Sequence, residues 1–185
     1  MGGREAEARR NDARVLAAAS AVFEELGDDA PVSAIARRAG VGMGSLYRRY
    51  PTKEVLVHDV CLAALQRVAD LAESALRDDD AWGALERVLR GTVESGATKL
   101  LGLRRTRTDD LRAAAERAGA ALERLVERAR AEGGLREGVS AGDLLHLARL
   151  VTGAEPGLRE RYLALVLDGL RARLPLPGPA PEWGF

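Results

Sequence analysis

Only one cysteine, Cys61, occurs in the chain, which excludes an internal disulfide and fits a reducing compartment. Histidine is almost as scarce, at two residues, so a closed metal site would have to recruit carboxylates. His58 and Cys61 lie three apart on a helical pattern, but they read better as a polar group beside a cavity and a core thiol. No metal or cofactor is expected. Aromatic residues make up 4% of the chain, and no run alternates Val, Ile or Thr with polar residues, so strands leave no signature. There is neither a signal-peptide pattern nor an apolar run long enough to span a bilayer; the expectation is a soluble, cytoplasmic protein without a membrane partner. No nucleophile, base and acid set is visible, so an enzyme is not expected. Lysine is confined to Lys53 and Lys99, and the heavy use of Arg, Ala and Gly points to a GC-rich coding sequence.

Ala and Leu dominate what is present, and 185 residues suffice for one or two helical domains with cores of their own. The chain reads as all-α. Its 28 basic and 28 acidic residues cancel overall, yet the stretch from Pro31 to Lys53 holds Arg37, Arg38, Arg48, Arg49 and Lys53 and not one acid. A basic face on a neutral chain points to a polyanion. The same stretch contains two short apolar stripes, Ile35, Ala36 and Ala39, then Val41, Leu46 and Tyr50, joined at Gly40 and stopped at Pro51. Helices this short must pack on each other and on a third, a helix-turn-helix pattern. Ala36 and Gly40 are small enough to let the backbones approach.

Ile35-Ala36, Ala39-Gly40-Val41, Ser45-Leu46-Tyr47, then Tyr50-Pro51-Thr52-Lys53-Glu54 and Leu56 resemble the DNA-binding signature of the tetracycline-repressor (TetR-like) family of bacterial regulators. The resemblance covers roughly Val15 to Leu65. It implies a three-helix DNA-binding head with a helix-turn-helix over 1–56, and a ligand-binding and dimerisation body over 57–173. Residues 174–185, with four of the seven prolines, are expected to form a disordered tail. By the same resemblance, Tyr47, Arg49 and Lys53 would contact phosphates. Base edges would face the start of the second short helix, where Met43, Gly44 and Ser45 offer little for bidentate recognition. Arg48, Ser33 and DNA shape would then carry specificity. Lys53 in the first turn of a helix opposes the dipole, an oddity that a nearby phosphate would remove.

Along the chain, residues 1–10 read as a polar, frayed tail in which Arg4, Arg9 and Arg10 could touch a backbone, and Asn11 to Leu26 as the third helix of the head, closed by Gly27. Thr52 caps a long helix to about Leu76 whose first half is apolar almost all round, so it should be covered on two sides. Asp80 caps a helix to about Gly96 burying Trp82; Lys99 to Arg107 is the least readable segment, with a short helix around Leu100, Leu101 and Leu103. Thr108 with Asp109 and Asp110 starts a helix to about Glu132, Ser140 with Asp143 starts another to Val151 or Thr152, and Pro156 opens the last.

The expected cavity among these helices is lined by Cys61, Leu65, Trp82, Leu85, Leu89, Val93, Leu122, Val126 and His146. With His58 or His146 as its few polar groups it suits an apolar, uncharged or weakly acidic effector, and an anion finds no clear partner. In the family the last two helices form a four-helix dimer interface, here assigned to Leu144, Leu147, Val151, Tyr162, Leu165, Val166 and Leu170, with Gly153 and Gly169 allowing close approach. The expected protein is a homodimeric regulator, a repressor released from an inverted-repeat DNA operator by a small molecule. The competing readings are an architectural DNA-binding dimer with no ligand and, less favoured, a helical enzyme.

Overall fold

Proline, glycine and side-chain caps set the helix boundaries. The computed structural model describes residues 2–102, 108–171, 174 and 176–181, the side chains of 2–5, 8 and 9 apart, and every regular element among them is helical. Helix α1 runs Gly2–Leu26, so the helix expected to begin at Asn11 starts nine residues earlier. Its first turns hold Ala, Glu and Arg, all good helix formers. Gly27, at φ 68°, ends it and leads into a 3-10 turn, Gly27–Asp29. Helix α2 is Val32–Ala39 and α3 is Met43–Arg49. Between them Gly40 sits at φ 67°, with Val41 N–H donating to Ala36 O at 3.0 Å, a left-handed helix end that only glycine adopts without strain.

The Thr52 hydroxyl accepts from Val55 N–H at 3.4 Å to start α4, Lys53–Ala75. The Asp80 carboxylate accepts from Gly83 N–H at 3.0 Å to start α5, Ala81–Glu94, two residues shorter than expected because Gly96 is left-handed and opens α6, Ala97–Leu101. Helix α7 is Asp109–Ala131, and α8, Ala141–Gly153, begins with the Ser140/Asp143 capping box. A 3-10 turn at Pro156–Leu158 precedes α9, Arg159–Arg171. The expectations for Leu103 to Arg107, for the Arg4 and Arg9 side chains, and for Trp183 and Phe185 lie outside the described residues.

Helix α4 is the axis of the molecule. It buries Leu56, Val57, Val60 and Cys61 near the head and Ala64, Leu65, Val68, Ala69, Ala72 and Ala75 in the body. Its most extensive neighbour is α7, whose Ala114, Ala115, Ala118 and Ala121 are also buried. Small buried alanines on both helices permit a close approach of their axes. Arg117 of α7 clamps the outside of this pair, reaching Asp70 and Glu73 of α4 at 2.6 Å each. Leu174 and Pro181 are held too: Arg136 donates to Leu174 O, and the Ser140 hydroxyl to Pro181 O at 3.3 Å, so these tail residues lie along the α7–α8 connection.

Candidate nucleic-acid interface and effector cavity

In the head, α3 has one buried residue, Leu46, which with Tyr50 joins the core; everything else on the helix faces out. Met43, Gly44, Ser45, Tyr47, Arg48 and Arg49 are exposed, as is Ser33 on α2. A Cβ added at Gly44 would meet nothing within 4 Å. Among the described residues Arg48 bonds only to Gly44 O at 3.3 Å, one turn back, and remains available to an anion. Arg49 is shared: its Nε donates to Asp12 of α1 at 3.1 Å, which raises its pKa, and its guanidinium lies 5.6 Å from the Tyr50 ring. Arg38 is likewise paired, with Glu25 at 2.5 Å.

Lys53 has a partner that sequence reasoning missed. It is half-buried, donates to Asp28 O in the turn after α1, and lies 5.8 Å from the Phe23 ring. A backbone carbonyl and a ring face thus give a lysine at the start of α4 partners within the chain. The chain's other lysine does the same: Lys99 donates to Glu24 O at the end of α1. Arg14 closes α2 through Ala39 O at 2.6 Å, and Arg128 closes α4 through Leu76 O at 2.7 Å. Cations are thus spent on helix C-termini, where unpaired carbonyls and the negative dipole end lie.

In the body, α4, α5, α6, α7 and α8 surround a cavity of about 90 Å³. Leu65 and Val68 come from α4, Leu85, Val88, Leu89 and Thr92 from α5, and Thr98 and Leu101 from α6, next to Gly102. Leu122 comes from α7, and Leu144, Leu145, Ala148 and Arg149 from α8. Of the residues expected along it, Leu65, Leu85, Leu89 and Leu122 meet there, while Cys61, Trp82, Val93, Val126 and His146 do not. Cys61 is buried nearer the head, its thiol donating to Leu100 O at 3.2 Å. Trp82 packs over Gly134 and under Arg171, whose guanidinium is 5.0 Å from the ring, and Val93 and Val126 are buried in other layers of the core.

Neither histidine lines the cavity. His146 is exposed, with Nδ1 bonded to Gly142 O at 2.8 Å. His58 bridges α4 to the start of α7, with Nδ1 3.0 Å from Asp59 and Nε2 3.2 Å from the Thr108 hydroxyl and from Asp110. The Asp59 hydrogen bond, assisted by Asp110 and opposed by burial, raises the His58 pKa. The polar groups of the cavity are instead Thr92, Thr98 and Arg149. The Arg149 guanidinium corrects the expectation that an anion finds no partner.

On the outer side of α8 and α9, Leu150, Leu158, Tyr162 and Leu165 are exposed, Leu150 by 72% and Leu165 by 59%. Leu147 and Val166 are half-buried beside them. Leu144, Val151 and Leu170, expected at a dimer interface, are buried within the chain. Cβ atoms added at Gly153 or Gly169 would meet nothing within 4 Å.

Comparison with known proteins agrees with both halves of this geometry. The profile of bacterial regulatory proteins of the tetR family matches residues 15–60, and that of the C-terminal domain of SbtR-like transcriptional regulators matches residues 80–172. A TetR transcriptional regulator from Streptomyces coelicolor is 32% identical, with 86% of this chain and 98% of that chain covered and a TM-score of 0.65. A TetR transcription regulatory protein from Mycobacterium vanbaalenii is also 32% identical, over 91% of this chain and 99% of that one, with a TM-score of 0.65. A TetR family regulator from Marinobacter aquaeolei, 19% identical with a TM-score of 0.58, shares the fold. Among curated proteins none matches. With a helix-turn-helix head matched to one profile and its body to the other, the chain belongs to the TetR family of bacterial regulatory proteins: it is a DNA-binding transcriptional regulator and not an enzyme.

Proposed function

We propose that this regulator is a homodimeric repressor that leaves an inverted-repeat operator when a small, mostly apolar molecule enters its body. The observation that carries the reading is the cavity against α4, the helix that begins in the head at Lys53 and continues through the body. A ligand that spreads the walls at Leu65 and Val68 has a rigid lever to the DNA-binding surface. One α3 per subunit in the major groove demands half-sites about 34–36 Å apart, or a multiple of that. In this reading Met43, Ser45 and Arg48 face base edges, Ser33 and Tyr47 flank them, Gly44 permits close approach, and Arg49 exchanges Asp12 for a phosphate.

The test combines genomic selection of bound DNA with cavity filling. Selection should return an inverted repeat, and an inducer should lower operator affinity by about 5- to 150-fold, the usual range of allosteric coupling. Leu122→Trp or Leu89→Trp should abolish the ligand response and keep operator binding. Loss of both together, or an operator affinity that no compound alters, would favour an architectural DNA-binding dimer instead.

A further inference from the structure

Among the described residues the cavity has one charged group in its lining and no acid. Arg149 projects from α8 at the mouth, with Nη2 3.7 Å from the position a Cβ on Gly102 would take, and it makes no hydrogen bond or ion pair with any described residue. This sets it apart from the arginines that close helices or pair with carboxylates, such as Arg14, Arg117, Arg128 and Arg159. Deeper in, the hydroxyl protons are already committed. Thr92 donates to Val88 O at 2.7 Å, and Thr98 donates to Thr152, which donates in turn to Ala148 O at 2.7 Å. Among the described residues the interior therefore offers lone pairs and apolar surface but no free donor, and the one cation of the lining is the exposed Arg149.

Resting on the ligand-gated reading above, we infer that the effector is an amphipathic monoanion, a carboxylic acid whose short apolar body fills the cavity while its carboxylate pairs with Arg149. A cation has no partner in this lining, and a carboxylate buried among committed hydroxyls would be left without donors. Polarity thus fixes the orientation, tail inward and head at the mouth. Size follows from volume: an apolar cavity of about 150 Å³ admits the six carbons of benzene, so this one of about 90 Å³ takes roughly three to four aliphatic carbons before its walls must move.

Hexanoate, hexanamide and hexylamine share one chain and differ in charge, so calorimetric titration of the full-length protein with each separates tail from head. Hexanoate should bind tightest, by about tenfold over hexanamide, the lower end for a charge-assisted hydrogen bond because the guanidinium is exposed. Arg149→Gln should remove that preference, and Arg149→Lys should restore part of it. Leu122→Trp should block all three. Equal binding of hexanamide and hexanoate, or hexanoate binding undiminished in Arg149→Gln, overturns the anion assignment and leaves the ligand-gated reading standing. If none of the three binds the wild type, and Leu122→Trp leaves the operator response to every tested compound unchanged, both are overturned.

Discussion

Single side chains divide the basic residues of the head into those that hold the fold and those free to meet DNA. Lys53→Met should lower stability to urea by about 1–2 kcal/mol, because a charged hydrogen bond to the Asp28 carbonyl is lost from a half-buried site. The salt dependence of DNA binding should barely change in that variant. Arg48→Ala should instead leave stability unchanged, since its bond to Gly44 O is local, and relax the base preference at the operator position it faces by about 1–3 kcal/mol. A wild-type urea midpoint for Lys53→Met would return that lysine to the phosphate role. His58 gives a second residue-scale prediction. Its folded pKa is raised above the unfolded value, so its pairing with Asp59 and Asp110 stabilises fully below about pH 6.5 and is lost as pH rises through the raised value. The stability difference between wild type and His58→Gln should accordingly shrink across that interval, and a difference that grows with pH would contradict the assignment.

Elements were more legible than their neighbours. The Ser140/Asp143 capping box, Thr52, Asp80, Gly40 and Pro51 act within a few residues of themselves, so their chemistry could be read in order along the chain. Exposure on α3 was legible for the same reason, since Leu46 is the helix's only apolar anchor. What periodicity cannot supply is the identity of the facing helix. Trp82 and Leu85 lie one turn apart on α5, yet only Leu85 reaches the cavity, because α5 carries Trp82 past the end of α7 to Gly134. On α9 two apolar stripes compete; the structure turns Leu163, Leu167 and Leu170 inward and leaves Tyr162 and Leu165 outside. The contact most remote from the sequence is the tie between head and body. Glu24, near the end of α1, accepts from Arg159 at 2.6 Å through its carboxylate and from Lys99 through its carbonyl, and its carboxylate lies 2.8 Å from where a Cβ on Gly96 would stand. Lys99 sits on α6 beside Thr98, a cavity residue, so displacement of that wall pulls directly on α1. Lys99→Met should therefore weaken the effect of an inducer on operator affinity while leaving inducer affinity within a few-fold. An unchanged coupling in that variant would route the signal through α4 alone.

At the scale of the whole molecule, the outer face of α8 and α9 is an apolar surface that the described residues do not cover. Leu150 and Leu165 project from it, and the open space beside Gly153 and Gly169 would let a second pair of helices approach closely. In the dimer proposed above, two such faces related by a two-fold axis would bury each other, and the same axis would align two α3 helices with an inverted repeat. Because both leucines are already exposed in the single chain, Leu150→Glu with Leu165→Glu should leave the helical content and the cavity intact. Leu163→Glu, at 2% exposure, should instead unfold the body and serves as the contrasting variant. Sedimentation equilibrium should find the double variant monomeric and the wild type dimeric. Operator binding should then fall by roughly 10²- to 10⁴-fold, since the second half-site loses the effective concentration that linkage to the first provides. Affinity for an isolated half-site should be unaltered, as none of the exposed residues of α2 and α3 is touched. A double variant that remains a dimer would move the interface elsewhere, and one that is monomeric yet binds the full operator at wild-type affinity would remove the two-fold reading of the DNA site altogether.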